Sequence, residues 1–154
     1  MAGIGGEDYR RGAYDRLTDA FALLRQERFG GAIYLAGRAV EGMLRGVIWH
    51  SDPEYKIGKK SLETGHDLRA MLQLVRSIKV LRGSEFRESI GGKVQAIARL
   101  WNNNMRYLSD SKVESMWYNL GEIDGKRRTM KNAAADFCNA SSLIIRRCEA
   151  IWQQ

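Results

Sequence analysis

The chain has 154 residues, a mass of 17.5 kDa and a formal net charge of +7, with 25 lysines and arginines against 18 aspartates and glutamates. This length suits one domain, and a composition of 44% hydrophobic and 28% charged residues excludes a wholly disordered chain. No apolar run approaches the roughly 20 residues that a bilayer-spanning helix needs, which excludes a transmembrane segment.

Residues 1–8 have neither the basic start nor the apolar stretch of a secretory signal, so a flexible N-terminus and a cytoplasmic location are expected. From residue 9 onward, apolar side chains recur every three to four positions, which predicts a single all-α domain over 9–154. Because amphipathic helices must cover one another's apolar faces, we expect an up-and-down antiparallel bundle of about five helices. In chain order, the predicted helices are 9–27, 31–50, 64–78, 84–105 and 129–152.

The second predicted helix has the widest apolar face, which indicates a central position in the bundle. Gly37, Gly42 and Gly46 lie mostly off that face. Residues this small weaken an isolated helix but let a neighbouring backbone come close. Arg38 and Glu41 are expected on the outer side of the helix, as an exposed or inter-helix ion pair.

Two stretches, 51–65 and 109–128, are predicted to be irregular. The second contains the basic run 126–128, and another pair of arginines follows at 146–147. Such runs have two interpretations that stay open here. They are either a solvated surface or a contact for a polyanion, which counterion release would drive.

The familiar signatures of enzymes are missing from the chain. His50 and His66 are not spaced as a metal-ligand pair, and neither a phosphate-binding glycine loop nor a nucleophile elbow occurs. Cys138 and Cys148 lie in a helical pattern and are expected to be buried apolar side chains. We therefore expect neither a metal nor a cofactor.

A dense polar and aromatic cluster occupies residues 99–107. Three successive asparagines are poor helix formers, so this segment either ends the fourth helix with Trp101 buried, or forms a pocket. In a pocket the arginines would bind phosphate, the amides would contact a base or sugar, and an aromatic ring would stack. The candidate binding residues of the segment are Arg99, Asn102, Asn103, Arg106 and Tyr107.

Three short segments resemble the HEPN family of nucleotide-binding helical domains: YLAGRAVE at 34–41, GHDL at 65–68 and WNNNMRY at 101–107. The resemblance implies a helical bundle that is commonly a homodimer. It occurs in defence ribonucleases, in toxin–antitoxin pairs with a nucleotidyltransferase partner, and in non-catalytic binding modules. Within GHDL, His66 is expected either to cap the third helix or to contact a bound phosphate or base.

The chain departs from the family at the residues that carry catalysis. Catalytic members pair an arginine with a histidine that follows it after four to six residues. Counted from Arg99, those positions hold Asn104, Met105 and Arg106, so the general acid–base group is absent. Arg45 and His50 have the formal spacing, but residues five apart on a helix point about 140° away from each other.

Three hypotheses about function follow. The leading one is a HEPN-type domain that binds a nucleotide or RNA as a dimer, without the arginine–histidine reaction. The second is a divergent ribonuclease in which Asn103, Arg106 or Tyr107 replaces the histidine. The third is a structural partner of a nucleotidyltransferase or of another defence component, with no ligand of its own.

Overall fold

The computed structural model describes residues 3–51, 68–77 and 90–153, and every regular element in these ranges is a helix. The predicted all-α bundle is thereby confirmed. None of the helices in these ranges combines the length and apolar character needed to cross a membrane. The elements are α1 (Gly6–Arg25), α2 (Phe29–Ser51), α3 (Leu68–Ser77), α4 (Gly91–Leu100), a 3₁₀ helix (Asn103–Tyr107), α5 (Asp110–Asn119) and α6 (Met130–Trp152).

Helix α2 is the centre of the bundle, as its wide apolar face predicts. It packs against α1, α3, α5, α6 and the 3₁₀ helix. Small residues bring α1 close to it: a Cβ on Gly46 would lie 3.2 Å from the carbonyl oxygen of Gly6, and one on Gly42 would lie 3.4 Å from that of Tyr9. The predicted close approach of a neighbouring backbone is therefore confirmed for these two glycines.

The fourth helix is shorter than the predicted 84–105. It ends at Leu100 because Trp101 and Asn102 are both extended, with ψ angles of 139° and 161°. The predicted extension of this α-helix to residue 105 was wrong, since Met105 belongs to the separate 3₁₀ helix. The start of the predicted helix, at 84–89, lies outside the described residues.

Helix α5 falls within 109–128, which was predicted to be irregular. The side chain of Ser109 caps its N-terminus by accepting from the backbone N–H of Lys112, and Val113 and Trp117 are buried one turn apart. Two inward positions over ten residues are too few to distinguish a helix from a loop by periodicity.

Candidate functional site

Two buried tryptophans fix the backbone on either side of the polar cluster. Trp101 donates its indole N–H to the carbonyl of Tyr34 at 3.1 Å, and Trp117 donates to the carbonyl of Leu100 at 3.3 Å. The Trp101 ring lies in a notch at Gly37, where a Cβ would come within 2.2 Å of the indole nitrogen. Trp101 is therefore an anchor for the cluster and is too buried to stack on a ligand.

In the segment after Trp101, the polar residues Asn102, Asn104 and Arg106 are exposed and Met105 is buried. Asn102 accepts a hydrogen bond from the backbone N–H of Asn104 at 2.9 Å and so caps the 3₁₀ helix. Met105 packs into the core, which leaves Arg106 and Tyr107 exposed on the other side. Asn102 thus has a structural role as a cap, in addition to any contact with a ligand.

Arg106 and Tyr107 form an exposed cation–aromatic pair. The guanidinium carbon of Arg106 lies 4.5 Å from the centre of the Tyr107 ring, and 73% of Tyr107 is exposed. The Tyr107 hydroxyl, with a smaller effect from Tyr34, raises the pKa of Arg106 above its usual range. In the described part of the chain, no carboxylate forms an ion pair with Arg106.

Arg99 has different partners and is not directed toward that pair. It donates to Glu122 at 2.9 Å; Glu122 also accepts from Arg128 at 3.0 Å, and Arg128 donates to Asp136 at 2.6 Å. We call these four residues the ion-pair chain. Glu122 was not among the predicted site residues, because nothing in the sequence indicates that a carboxylate 23 positions away will reach Arg99.

Asn103 contains a polar atom that the fold leaves without a partner. Its side-chain oxygen is shielded from solvent and accepts no hydrogen bond, and it is the one buried side-chain polar atom of this kind among the described residues. An unsatisfied buried acceptor costs about 1–3 kcal/mol. No hydrogen bond within the described residues therefore accounts for the placement of the Asn103 side-chain oxygen.

A second cluster of charge, Arg38, Glu41 and Arg45, lies on α2. The prediction that Glu41 faces outward was wrong: Glu41 is only 2% exposed and accepts from Arg38 at 2.6 Å and from Arg45 at 3.1 Å. One arginine lies a turn before this buried carboxylate and the other a turn after it, and together they compensate its charge. His50 instead stacks on Trp152 at 4.4 Å, so the formal Arg45–His50 motif has two separate sets of partners.

The three residues of the basic run 126–128 have different environments. Arg128 belongs to the ion-pair chain, whereas Lys126 and Arg127 are exposed. Asp124 holds the turn by accepting from the backbone N–H groups of all three residues, which lowers its pKa. Arg146 and Arg147 are also exposed.

Neither cysteine is placed for chemistry. Burial raises the pKa of the Cys138 thiol to about 12 and that of Cys148 still further, so both thiols remain protonated at neutral pH. In the ranges that the structure describes, no group of three or more histidine, cysteine, aspartate or glutamate residues is placed to hold a metal. His66 lies outside those ranges, as does most of the predicted loop 51–65.

The structure thus places the predicted site residues in two environments instead of one pocket. Arg99 belongs to the ion-pair chain, while Asn102, Asn103, Arg106 and Tyr107 belong to the 3₁₀ segment. Comparisons with protein-family models, with curated proteins and with solved structures found no match to this chain.

Proposed function

We propose that the chain is a HEPN-type helical domain that binds single-stranded RNA through the 3₁₀ segment and does not cleave it by the arginine–histidine mechanism. The observation that carries the proposal is the exposed Arg106–Tyr107 pair. It offers a nucleic acid both an aromatic face and a cation that no carboxylate of the described residues neutralises.

Each half of the pair suits a different part of an RNA strand. An exposed tyrosine ring stacks on any base, and base–aromatic stacking is worth about 1–3 kcal/mol per base. The neighbouring guanidinium forms charge-assisted hydrogen bonds to a phosphate. Arg99 is less suited to that role, because phosphate would compete with Glu122 for its guanidinium.

Asn103 adds a hydrogen bond to a ligand once its side chain rotates toward solvent. Its side-chain oxygen is shielded and lacks a donor in the free protein, so the rotation breaks no hydrogen bond of that oxygen, and the exocyclic amine of a base or a ribose hydroxyl is a donor of the right kind. The amide thereby adds a hydrogen bond to a base or a ribose to the stacking by Tyr107 and the phosphate contact of Arg106.

Fluorescence anisotropy with a labelled oligouridine tests the proposal. Replacing Tyr107 with alanine is expected to weaken binding about 5- to 150-fold, which corresponds to the loss of one stacked base. The matched control is Tyr118→Ala on α5, because Tyr118 is also largely exposed, at 60%, but lies outside the segment. Equal losses in the two variants, or no binding by the parent protein at low salt, would contradict the proposal.

Salt dependence separates the role of Arg106 from that of Tyr107. Each phosphate contact with a single strand contributes a slope of about −0.7 to the plot of log affinity against log salt concentration. Arg106→Ala is therefore expected to make that slope less steep by about 0.7, while Tyr107→Ala leaves it unchanged. An unchanged slope in Arg106→Ala would remove the phosphate contact from the proposal.

Homodimerisation is part of the proposal and rests on the HEPN resemblance. The wide apolar face of α2 gives it no separate support, because other elements of the same chain cover that face. Light scattering at micromolar concentration is expected to give about twice 17.5 kDa. A monomeric mass would remove the dimer and leave the RNA site to be judged by the binding assays.

A further inference from the structure

A groove of about 220 Å³ runs between α4 and α6, beside the ion-pair chain. Its apolar lining differs from the polar surface of the 3₁₀ segment. Three of its lining residues are alanines, whose small side chains leave space between the two helices. Its apolar lining consists of Ala96, Ile97, Leu100, Ala133, Phe137 and Ala140.

The charged residues at the rim are Lys93, Arg128, Glu122 and Asp136, and Arg99 pairs with Glu122 from outside the groove lining. Glu122 and Asp136 are both engaged by arginines of the ion-pair chain, whose two cations and two carboxylates cancel. Lys93, also at the rim, is exposed and has no ion-pair partner in the part of the chain that the structure describes. An anionic group is therefore the charge that complements Lys93.

From this we infer that the groove binds a small aromatic carboxylate, with the ring against Phe137 and the alanines and the carboxylate paired with Lys93. Pockets for drug-sized ligands measure about 300–1,000 Å³, so the smaller volume here suits a single ring system. The site is distinct from the proposed RNA-binding surface and does not depend on it.

Benzoate is the probe, and benzamide is its neutral counterpart of the same shape. In a titration of the isotope-labelled protein followed by nuclear magnetic resonance, benzoate is expected to shift the backbone amide signals of Ala133 and Phe137 saturably. Because Lys93 is exposed, its ion pair is expected to make benzoate bind about two- to fivefold more tightly than benzamide. Lys93→Ala should abolish that preference and leave benzamide binding unchanged.

Filling the groove tests the location of the site. Ala140 is half-buried at the groove, so Ala140→Leu is expected to keep the helix and to abolish binding of both probes. Ala150→Leu is the matched control, since Ala150 is an exposed alanine on the same helix outside the groove and the variant should bind like the parent.

Four results would overturn the inference. The first is the absence of saturable shifts with benzoate, and the second is equal affinity of the parent protein for benzoate and benzamide. The third is unchanged binding by a folded Ala140→Leu variant. The fourth is a set of groove signals that shift with protein concentration alone, because a second copy of the chain would then be the occupant.

Discussion

The contact between Gly37 and Trp101 shows how a single hydrogen atom in place of a methyl group sets the position of the candidate site. The sequence predicts that a small residue on α2 admits a close neighbour, but it does not say which one. The neighbour is the indole ring, which also needs the Tyr34 carbonyl as its acceptor. Burial of the ring and satisfaction of its N–H are thus achieved together.

Gly37→Ala is expected to destabilise the protein by about 1–3 kcal/mol, the usual cost of adding a methyl group to a packed interior. The new Cβ would lie within 2.2 Å of the indole nitrogen of Trp101 and would displace the ring. Urea unfolding measures the change. The matched control is Gly92→Ala on α4, where a Cβ meets nothing within 4 Å and is expected to stabilise by up to about 1 kcal/mol.

A Gly37→Ala variant as stable as the parent would contradict the close packing of the Trp101 ring against Gly37. Tryptophan fluorescence gives a second readout, because displacement of a buried indole changes its emission while the Gly92→Ala control does not. The prediction concerns the fold alone and is independent of any ligand.

At the scale of elements, the sequence predicts those helices whose apolar residues are numerous and regular. Helix α2 and helix α6 match the predictions to within two residues at each end. The segment around the site is harder, since its backbone is fixed by tertiary hydrogen bonds from Trp101 and Trp117. Those bonds join residues 67 and 17 positions apart, and no local pattern encodes them.

An ion pair between α1 and α6 also cannot be predicted from the local sequence pattern. Arg10 holds Glu149 through two hydrogen bonds, one of them between its Nε and the Glu149 Oε2 at 2.8 Å. Its guanidinium also lies over the Trp152 ring, 5.8 Å from the centre. Both charged side chains are largely buried, so the pair fixes how the first helix meets the last.

Acid is expected to weaken this connection. Arg10 is the main cause that lowers the pKa of the Glu149 carboxyl. A carboxyl whose pKa is lower in the folded state adds stability above its unfolded value of about 4.3, and the added stability is lost as the pH falls through the folded pKa. Glu149→Gln is therefore expected to cost about 1–2 kcal/mol at neutral pH and progressively less below about pH 4.

Urea unfolding of the parent and the Glu149→Gln variant across the pH range measures this difference. Asp19→Asn is the control, because the Arg16–Asp19 pair is half-exposed and its loss should stay within about 0.5 kcal/mol at every pH. A cost for Glu149→Gln that does not diminish in acid would contradict the role assigned to the charge of Glu149.

For the whole molecule, the net charge of +7 gives less information than its distribution. Arg10, Arg99 and Arg128 are each paired with a carboxylate that offsets their charge, so they add little to an external field. Arg106 and Arg127 remain exposed. The sequence predicts the excess of positive charge, but the division between structural and external arginines depends on carboxylates that are distant along the chain.

The side chains at positions 104–106 bear on whether the protein can cleave RNA. Cleavage of RNA needs a proton removed from the 2′-hydroxyl and one returned to the leaving oxygen, and general acid–base help is worth about 10²–10⁴-fold. If the proposed HEPN resemblance holds, the positions for the histidine are 104–106, and this chain has an amide, a thioether and a guanidinium there. Neither the amide nor the thioether gains or loses a proton near neutral pH, and the guanidinium stays protonated.

We therefore expect purified protein to bind single-stranded RNA without cleaving it at neutral pH in the presence of a chelator. Gel electrophoresis of an end-labelled RNA measures cleavage, and Arg99→Ala, Arg106→Ala and Tyr107→Phe identify its source if it occurs. Chelator-resistant cleavage that disappears in Tyr107→Phe would contradict the prediction and assign proton transfer to that hydroxyl. Loss in Arg106→Ala with activity retained in Arg99→Ala would instead locate a divergent ribonuclease site on the 3₁₀ segment, apart from the ion-pair chain that holds Arg99.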